Sequence, residues 1–364
     1  MKRDQIIYPL CMDLHKPKAT YITHDGYVRP CCFTHRHQKV EADERWMNDP
    51  KHNLKSGSTL QQIFDTPEYK DFFERLRTGK QVPDRCIQVC KKSRRSWNDL
   101  TGGSYDTRKE KSIVGYEQYE SKHNSEKYYE DSYSVKHKLQ IDATHRCSLE
   151  CPKCNRFIKD FHDRYTNKKY DLGHQVLLKD DLSVEHFQAI VDEVRQIADK
   201  KENGVIPDID FCGTWSDAIY HPDFLKLIKI AKDKNFNVSI VTNGSRKKQE
   251  WWDELYSMLN PKYDSFVFGM DGLKDTAHIY RKNILYDDVI YAMKKGGELG
   301  FSKSKWSFIV FNFNQHQVHE ASELAKELGI AFEIVKSARW DGPDDPLMPS
   351  KEWLPESTIR EYGL

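Results

Sequence analysis

Residues Leu139–Phe157 read Leu-Gln-Ile-Asp-Ala-Thr-His-Arg-Cys-Ser-Leu-Glu-Cys-Pro-Lys-Cys-Asn-Arg-Phe and contain three cysteines in the spacing C-x3-C-x2-C. Apolar and polar residues alternate ahead of the cysteines, which is typical of a β-strand. A strand that leads into a short loop holds the thiols of Cys147, Cys151 and Cys154 close together. Three thiolates are one fewer than a closed tetrahedral zinc site or a fully cysteine-ligated [4Fe–4S] cluster requires. The stretch therefore predicts a metal centre with one open coordination position.

Two other interpretations of this motif stay open at the level of the sequence. A zinc knuckle is the first, in which a histidine such as His145 supplies the fourth ligand. The second is a group of buried thiols without a metal, which is unusual at such short spacing.

Composition and charge narrow the class of protein. The 364 residues suffice for two domains, and 57 Lys and Arg against 56 Asp and Glu leave a formal net charge of +1. This balance gives no clear signal for nucleic acid or for an acidic membrane. No apolar run reaches the length of a membrane span, and the start Met-Lys-Arg-Asp-Gln-Ile-Ile lacks the apolar core of a signal peptide. We therefore expect a cytoplasmic protein without membrane contact, whose nine cysteines are metal ligands rather than disulfides.

Strands and helices alternate along the rest of the chain. After a first strand at 135–143, the sequence predicts strands at 207–212, 237–242, 265–270, 305–313 and 331–335. Amphipathic helices are predicted between them at 183–200, 221–235, 251–259, 286–299 and 315–328. Such alternation predicts an α/β fold with a parallel sheet, helices outside, and reactive groups at the carboxyl ends of the strands.

The cysteine spacing after a strand, together with this alternation over residues 135–337, resembles the radical S-adenosylmethionine (SAM) superfamily. The resemblance implies a partial (β/α)6 TIM-like barrel and a [4Fe–4S] cluster whose open iron binds SAM. It further implies one-electron cleavage of SAM to a 5′-deoxyadenosyl radical that abstracts a substrate hydrogen. One position departs from the family pattern, because the residue before the third cysteine is usually aromatic and is Lys153 here.

Residues at the ends of successive strands resemble SAM contacts of that family. Gly213 and Asp217 stand in a segment similar to its Gly-Gly-Glu-Pro stretch, and Asn243 stands in a Thr-Asn-Gly sequence. Asp271 and Arg281 follow the fourth strand. The resemblance implies that Asp271 binds a ribose hydroxyl and that Arg281 pairs with the SAM carboxylate.

Cys212 ends the second strand and has two interpretations. A free cysteine at such a position is most often a small buried apolar residue. The alternative is a catalytic thiol that donates a hydrogen atom to a substrate radical.

The first 96 residues contain the remaining cysteines. A hairpin is predicted around Asp25 and Gly26, and two helices follow it. The cysteines before, within and after these elements are Cys11, Cys31, Cys32, Cys86 and Cys90. Their spacing resembles the SPASM motif in its shortened twitch form, here ahead of the core rather than behind it. The resemblance implies an auxiliary [4Fe–4S] cluster on Cys11, Cys31, Cys86 and Cys90, with Cys32 as the alternative to Cys31. A zinc ribbon on the same thiols is the competing interpretation.

We divide the chain into a small α+β twitch/SPASM-like domain at 1–96, a polar tyrosine-rich connector at 97–134, a radical SAM partial barrel at 135–337 and a tail at 338–364. The expected function is a radical SAM enzyme, reduced by a flavodoxin or ferredoxin, that oxidises or modifies a peptide or protein substrate. A sugar or aminocyclitol dehydrogenase or epimerase is the alternative, and it implies a small-molecule substrate. A non-catalytic zinc-binding protein is the alternative of a different class.

Overall fold

The computed structural model describes residues 20–30, 46–78, 80–83, 138–337 and 339–364, with short gaps at 155, 157–159, 164–167, 172–179, 201–204 and 214–215. The connector at 97–134 lies outside the described residues. So do five predicted cluster ligands, namely Cys11, Cys31, Cys32, Cys86 and Cys90.

The described part of the chain contains ten strands and nine α-helices. The strands are β1 (Thr20–Ile22), β2 (Val28–Arg29), β3 (Lys138–Ile141), β4 (Asp160–Asp163), β5 (Lys168–Asp171), β6 (Asp208–Phe211), β7 (Asn237–Thr242), β8 (Ser265–Gly269), β9 (Lys305–Ile309) and β10 (Ala331–Val335). The helices are α1 (Leu60–Phe64), α2 (Pro67–Thr78), α3 (Val184–Asp199), α4 (Phe224–Asp233), α5 (Gln249–Met258), α6 (Ala277–Tyr280), α7 (Tyr286–Glu298), α8 (Val318–Glu327) and α9 (Glu356–Tyr362).

Eight of these strands form one open sheet in the order β10-β9-β8-β7-β6-β3-β1-β2. Neighbouring strands from β10 to β1 run parallel, and β2 alone is antiparallel to its neighbour. The six strands β3 and β6 to β10 carry the predicted alternation with helices. The predicted α/β fold with a partial, TIM-like barrel is therefore confirmed, and the barrel is not closed.

One face of the sheet is apolar and covered by helices. Alternate residues of each strand point to that face, as in any pleated strand. Phe211 of β6 lies with its ring centroid 5.8 Å from that of Phe187 in α3 and 5.1 Å from that of Phe224 in α4. Ser183 caps α3 at its amino end, since its hydroxyl accepts a hydrogen bond from the His186 amide at 3.2 Å. These contacts fix the helices on the outside of the sheet.

The opposite face of the sheet is polar and half-buried. Lys138 and Asp210 form an ion pair there at 3.0 Å, and Lys305 pairs with Glu333 at 2.8 Å. A second helical layer would need an apolar face to pack against. The polar face therefore lines the inside of the partial barrel, as expected for a curved sheet.

The N-terminal hairpin continues the barrel sheet. The predicted turn is present, with Gly26 at φ +89°, a conformation that favours glycine. Because β1 pairs in parallel with β3, the Tyr21 hydroxyl reaches across the sheet and donates to the carboxylate of Asp142. The backbone amides of Leu60 and Gln61, at the start of α1, donate to the Glu193 carboxylate of α3 at 2.9 and 2.8 Å. The helical part of the N-terminal region is thereby attached to the barrel.

Strand β9 is shorter than the sequence predicted. It ends at Ile309 rather than near Phe313. The side-chain oxygen of Asn314 accepts a hydrogen bond from the Phe311 amide at 2.7 Å, and the Asn314 amide group donates to Ile309 at 3.0 Å. This side chain replaces ladder hydrogen bonds and turns the backbone away from the sheet.

Strands β4 and β5 form a separate antiparallel hairpin after the cysteine loop, and the sequence patterns did not predict it.

Within the described ranges, no helix has the length and apolar character needed to cross a membrane.

Candidate metal centre

The three predicted cluster ligands lie on the loop that follows β3, at the carboxyl end of the sheet. The Cys154 amide donates to the Cys151 carbonyl at 3.0 Å and closes a tight turn between these two residues. The Leu149 amide points at the Cys147 sulfur, 3.5 Å away. Burial raises the pKa of Cys147 to about 12 and also raises the pKa of Cys151. The thiols of Cys147 and Cys151 are therefore neutral without a metal, and metal binding must release their protons.

The donor set of the loop consists of three cysteine thiols. Cysteine thiolates hold the irons of [4Fe–4S] clusters and also bind zinc. His145, the proposed fourth zinc ligand, lies with its ring centroid 4.8 Å from that of His24 in the N-terminal hairpin. Three thiols with an amide directed at one sulfur thus fit a [4Fe–4S] cluster.

Asn243 and Asp217 form a buried network beside Cys147. The side-chain amide nitrogen of Asn243 is 3.5 Å from the Cys147 sulfur, and it also donates to the Asp217 carboxylate. The Asp217 carboxylate accepts three more hydrogen bonds, from the Asn243 backbone amide at 2.6 Å, the Thr242 hydroxyl at 3.0 Å and the Ile219 backbone amide at 3.4 Å. Burial raises the pKa of Asp217 to about 6, although these hydrogen bonds favour its charged form. Asp217 is only 3% exposed, and this geometry makes it a support for Asn243.

Gly213 and Cys212 follow β6 at the same edge of the sheet. Gly213 is exposed, and an added Cβ would lie 3.1 Å from the Ser216 carbonyl oxygen. Cys212 is half-buried, and strand alternation puts it on the polar face with Asp210. Its amide donates to the Ile141 carbonyl at 3.1 Å, which places Cys212 next to the strand that carries the cysteine loop.

Asp271 and Arg281 form an ion pair at the end of β8. Nε of Arg281 lies 2.6 Å from one Asp271 oxygen, and the other oxygen accepts a hydrogen bond from the Ile309 amide at 2.8 Å. Asp271 is fully buried, whereas 20% of the Arg281 side chain is exposed. The terminal nitrogens of Arg281 lie over Gly269, where an added Cβ would be 3.1 Å from Nη2. Asp271 therefore orients the arginine, and glycine leaves room for its fork.

The Arg281 guanidinium also lies close to the cysteine loop. Its charge, together with that of Arg339, partly offsets the rise that burial causes in the pKa of Cys151. A guanidinium beside a predicted metal ligand can bind a carboxylate through two parallel hydrogen bonds. The arrangement can hold the amino-acid part of a cofactor next to a cluster.

Sequence reasoning missed Arg339 and the Tyr21–Asp142 pair. Nη1 of Arg339 donates to the carbonyl oxygen of Lys153, at a sequence separation of 186 residues. Tyr21 and Asp142 are separated by 121 residues. No motif or periodicity indicated either contact.

Comparison with known proteins finds an iron–sulfur domain in the N-terminal region and a relative that depends on S-adenosylmethionine. A family model described as an iron–sulfur cluster-binding SPASM domain matches residues 11–92, a span that includes all five N-terminal cysteines. The S-adenosylmethionine-dependent nucleotide dehydratase of Selenomonas ruminantium is 26% identical over 126 residues. That match spans 35% of this chain and only 32% of the dehydratase, about a third of its length.

Solved structures with weak overall similarity include two SAM-related proteins. SuiB of Streptococcus suis, solved with bound SAM, is 15% identical with a TM-score of 0.40, covering 79% of this chain and 60% of SuiB. A radical SAM methyltransferase from Sphaerobacter thermophilus is 14% identical with a TM-score of 0.39, covering 61% of this chain and 62% of that protein. Residues 11–92 thus match an iron–sulfur cluster-binding SPASM domain, and this span precedes the barrel whose first strand leads into the three-cysteine loop.

Proposed function

We propose that this protein is a radical SAM enzyme whose catalytic [4Fe–4S] cluster is held by Cys147, Cys151 and Cys154. The observation that carries the proposal is the position of these thiols, on a loop at the carboxyl end of an open parallel sheet and beside Arg281. When bound, the cluster and SAM supply an electron and a 5′-deoxyadenosyl radical that removes a hydrogen atom from the substrate. The protein binds, orients and shields the reactants.

The strand-end residues have separate roles in this proposal. Arg281 pairs with the SAM carboxylate, and Asp271 holds its guanidinium in place. Gly213 exposes backbone groups to the SAM amine. Asn243 donates a hydrogen bond to the Cys147 sulfur, and Asp217 orients the Asn243 amide. Hydrogen bonds to cluster sulfurs are one of the means by which proteins set reduction potentials.

The N-terminal domain, in our proposal, holds an auxiliary [4Fe–4S] cluster through Cys11, Cys86, Cys90 and either Cys31 or Cys32. Four thiolates leave no iron open for a substrate, which favours an electron-accepting role. The substrate would lose a hydrogen atom to the radical and then one electron and one proton, a net two-electron oxidation. A flavodoxin or ferredoxin supplies the electron that starts each cycle.

We propose a peptide or protein as the substrate. The polar inner face of the sheet presents charges of both signs, including the pairs Lys138–Asp210 and Lys305–Glu333, and it can bind an extended polar chain. The tyrosine-rich connector at 97–134 adds aromatic groups that suit peptide binding.

A nucleotide or sugar is the second candidate for the substrate. It rests on the name of the curated relative, a nucleotide dehydratase, and on the same polar face, which could equally bind hydroxyl groups. A small-molecule substrate would also suit an epimerase in which Cys212 returns a hydrogen atom to the substrate.

Metal analysis under anaerobic conditions tests the proposal. We expect a brown protein with roughly eight irons and eight sulfides per chain, the content of two clusters. Changing Cys147, Cys151 and Cys154 together to Ala should remove about half of the iron, because four other thiolates hold the auxiliary cluster, and should abolish 5′-deoxyadenosine formation. Cys212→Ala is the matched control and should keep the full iron content. A colourless protein with about two zinc ions per chain would instead establish the zinc-binding alternative.

A further inference from the structure

The C-terminal tail contacts the cysteine loop at the turn between Cys151 and Cys154. Nη1 of Arg339 donates to the Lys153 carbonyl at 3.1 Å, and the same nitrogen donates to the Tyr280 hydroxyl oxygen at 3.2 Å. The ammonium of Lys153 pairs with Asp341 and lies 3.8 Å from Asp345. Residues 339–345, which we name the tail clasp, thus bind the residue between two predicted cluster ligands.

The tail clasp is anchored on the barrel at both ends. Near the start of the clasp, the Trp340 side chain is buried, with only 1% of its surface exposed. The Asp345 carboxylate accepts hydrogen bonds from the amides of Asp341 and Leu347 at 2.8 and 2.9 Å, so the segment forms a closed turn. Beyond it, the Leu347 carbonyl accepts from the Asn312 amide at 3.2 Å, just after β9. The tail therefore crosses the carboxyl edge of the sheet from β9 to the cysteine loop.

Arg339 joins two parts of the site that lie far apart in sequence. One acceptor, the Lys153 carbonyl, belongs to the cysteine turn, and the other, the Tyr280 hydroxyl, belongs to the residue before Arg281. A single guanidinium thereby sets the distance between the cluster ligands and the arginine assigned to the SAM carboxylate.

We propose that the tail clasp is part of the SAM and cluster site, with Arg339 as a positioning residue. This inference rests on the proposed function and deepens it. Arg339 keeps the cysteine turn and α6 in register, and Lys153 fastens the same turn through its ion pairs with the tail. Lys153, which the tail clasp binds, stands at the position that is usually aromatic in the family pattern.

The first test measures thiol accessibility in the metal-free protein, with iodoacetamide as the probe and mass spectrometry of each cysteine as the readout. Arg339→Ala should speed alkylation of Cys154, the last residue of the turn, by about tenfold, the effect of losing charge-assisted hydrogen bonds. Cys151 is left out of the comparison because the Arg339 charge also affects the pKa of that thiol. Cys212, at the end of β6, should react at the wild-type rate. Equal rates at Cys154 in variant and wild type would overturn the inference.

A surface variant keeps the test decisive if Arg339→Ala folds poorly. The Asp341 side chain is 83% exposed, so Asp341→Lys should fold while placing a like charge against Lys153. It should also speed alkylation of the turn, whereas Asp344→Lys, an exposed change in the same segment, should not. Identical behaviour of the Asp341 and Asp344 variants would refute the clasp.

The second test measures the SAM dissociation constant of the cluster-loaded protein by calorimetry. Arg339→Ala should raise it by about tenfold, and Arg339→Lys, which keeps the charge, should recover part of the loss. An unchanged constant in Arg339→Ala would contradict the positioning role. The two proposals fail separately, because a zinc-containing protein refutes the proposed function, whereas unchanged alkylation refutes only the tail clasp.

Discussion

The side-chain amide nitrogen of Asn243 lies 3.5 Å from the Cys147 sulfur and also donates to the Asp217 carboxylate. The carboxylate fixes which edge of the amide faces the sulfur, because it accepts hydrogen bonds from both the backbone and the side-chain nitrogen of Asn243. An N–H group directed at a thiolate stabilises negative charge on a cluster. We therefore propose an electrostatic role at the site for Asn243, which follows a different strand from the cysteine loop.

Asn243→Ala should make the reduction potential of the catalytic cluster more negative. The substitution removes a donor that stabilises the additional electron of the reduced cluster. A redox titration followed by electron paramagnetic resonance measures the shift. Asn237→Ala, at the opposite end of β7, is the control and should leave the potential unchanged. Equal potentials in the Asn243 variant and the wild type would show that the contact has no electrostatic role.

Arg281→Ala should weaken SAM binding by on the order of 1.5–3 kcal/mol, the contribution of a hydrogen bond to a charged group. The measurement is the SAM dissociation constant of the cluster-loaded protein. Arg195→Ala serves as the control, since Arg195 pairs with Asp199 at 2.7 Å on α3, away from the strand ends. If both variants bind SAM like the wild type, Arg281 is a structural partner of Asp271 and nothing more.

Gly269→Ala tests the position of the Arg281 guanidinium without removing that side chain. The new methyl group would lie 3.1 Å from Nη2 of Arg281, which is closer than most Cβ contacts, so the fork must shift. We expect weaker SAM binding, by about 1 kcal/mol, as for other small-to-large changes in packed sites. Denaturant unfolding of the metal-free variant checks that the substitution leaves the fold intact. Normal SAM affinity in Gly269→Ala would argue against a constrained arginine.

The raised pKa of Asp217 predicts that the stability of the metal-free protein depends on pH. Its ordinary pKa of 3.8 is raised by burial to about 6 in the folded state. The folded protein therefore binds the proton more tightly than the unfolded chain. The resulting stabilisation is complete below about pH 4 and is lost as the pH rises through 6, a change of about 3 kcal/mol.

Denaturant unfolding between pH 4 and 7 measures this dependence. Asp217→Asn carries no titrating group and should show a flatter profile over that interval. Parallel profiles in the variant and the wild type would mean that another group causes the pH dependence.

A Cys86→Ala/Cys90→Ala variant should separate radical formation from product formation. The catalytic cysteines are intact, so SAM should still be cleaved to 5′-deoxyadenosine, while oxidised product disappears for lack of an electron acceptor. Product analysis by mass spectrometry in deuterated solvent checks the result. Full activity of the variant together with deuterium at the target carbon would support the epimerase alternative. Cys212→Ala should then abolish the normal product.

The fold and the cysteine-rich loop could be predicted from local sequence patterns. Alternating apolar residues around Leu139 and Ile141, and the spacing of Cys147, Cys151 and Cys154, depend on neighbours within a few residues. Such short-range patterns record whether a segment is a strand or a helix and which side chains share a turn. They therefore predicted the six barrel strands, the N-terminal hairpin and the thiol-rich loop, while the end of β9 escaped them because Asn314 redirects the chain locally.

The partners of these residues were decided by the tertiary structure. The sequence indicated Asn243, Asp217, Asp271 and Arg281, yet nothing in it showed that Asn243 faces a sulfur or that Asp271 orients an arginine. The contacts Tyr21–Asp142 and Arg339–Lys153 join segments more than a hundred residues apart. Each depends on strand order and on the path of the tail across the sheet, which follow from packing of the whole chain rather than from any local period. Local sequence patterns thus indicated the candidate site residues, and the folded sheet determined which side chains those residues contact.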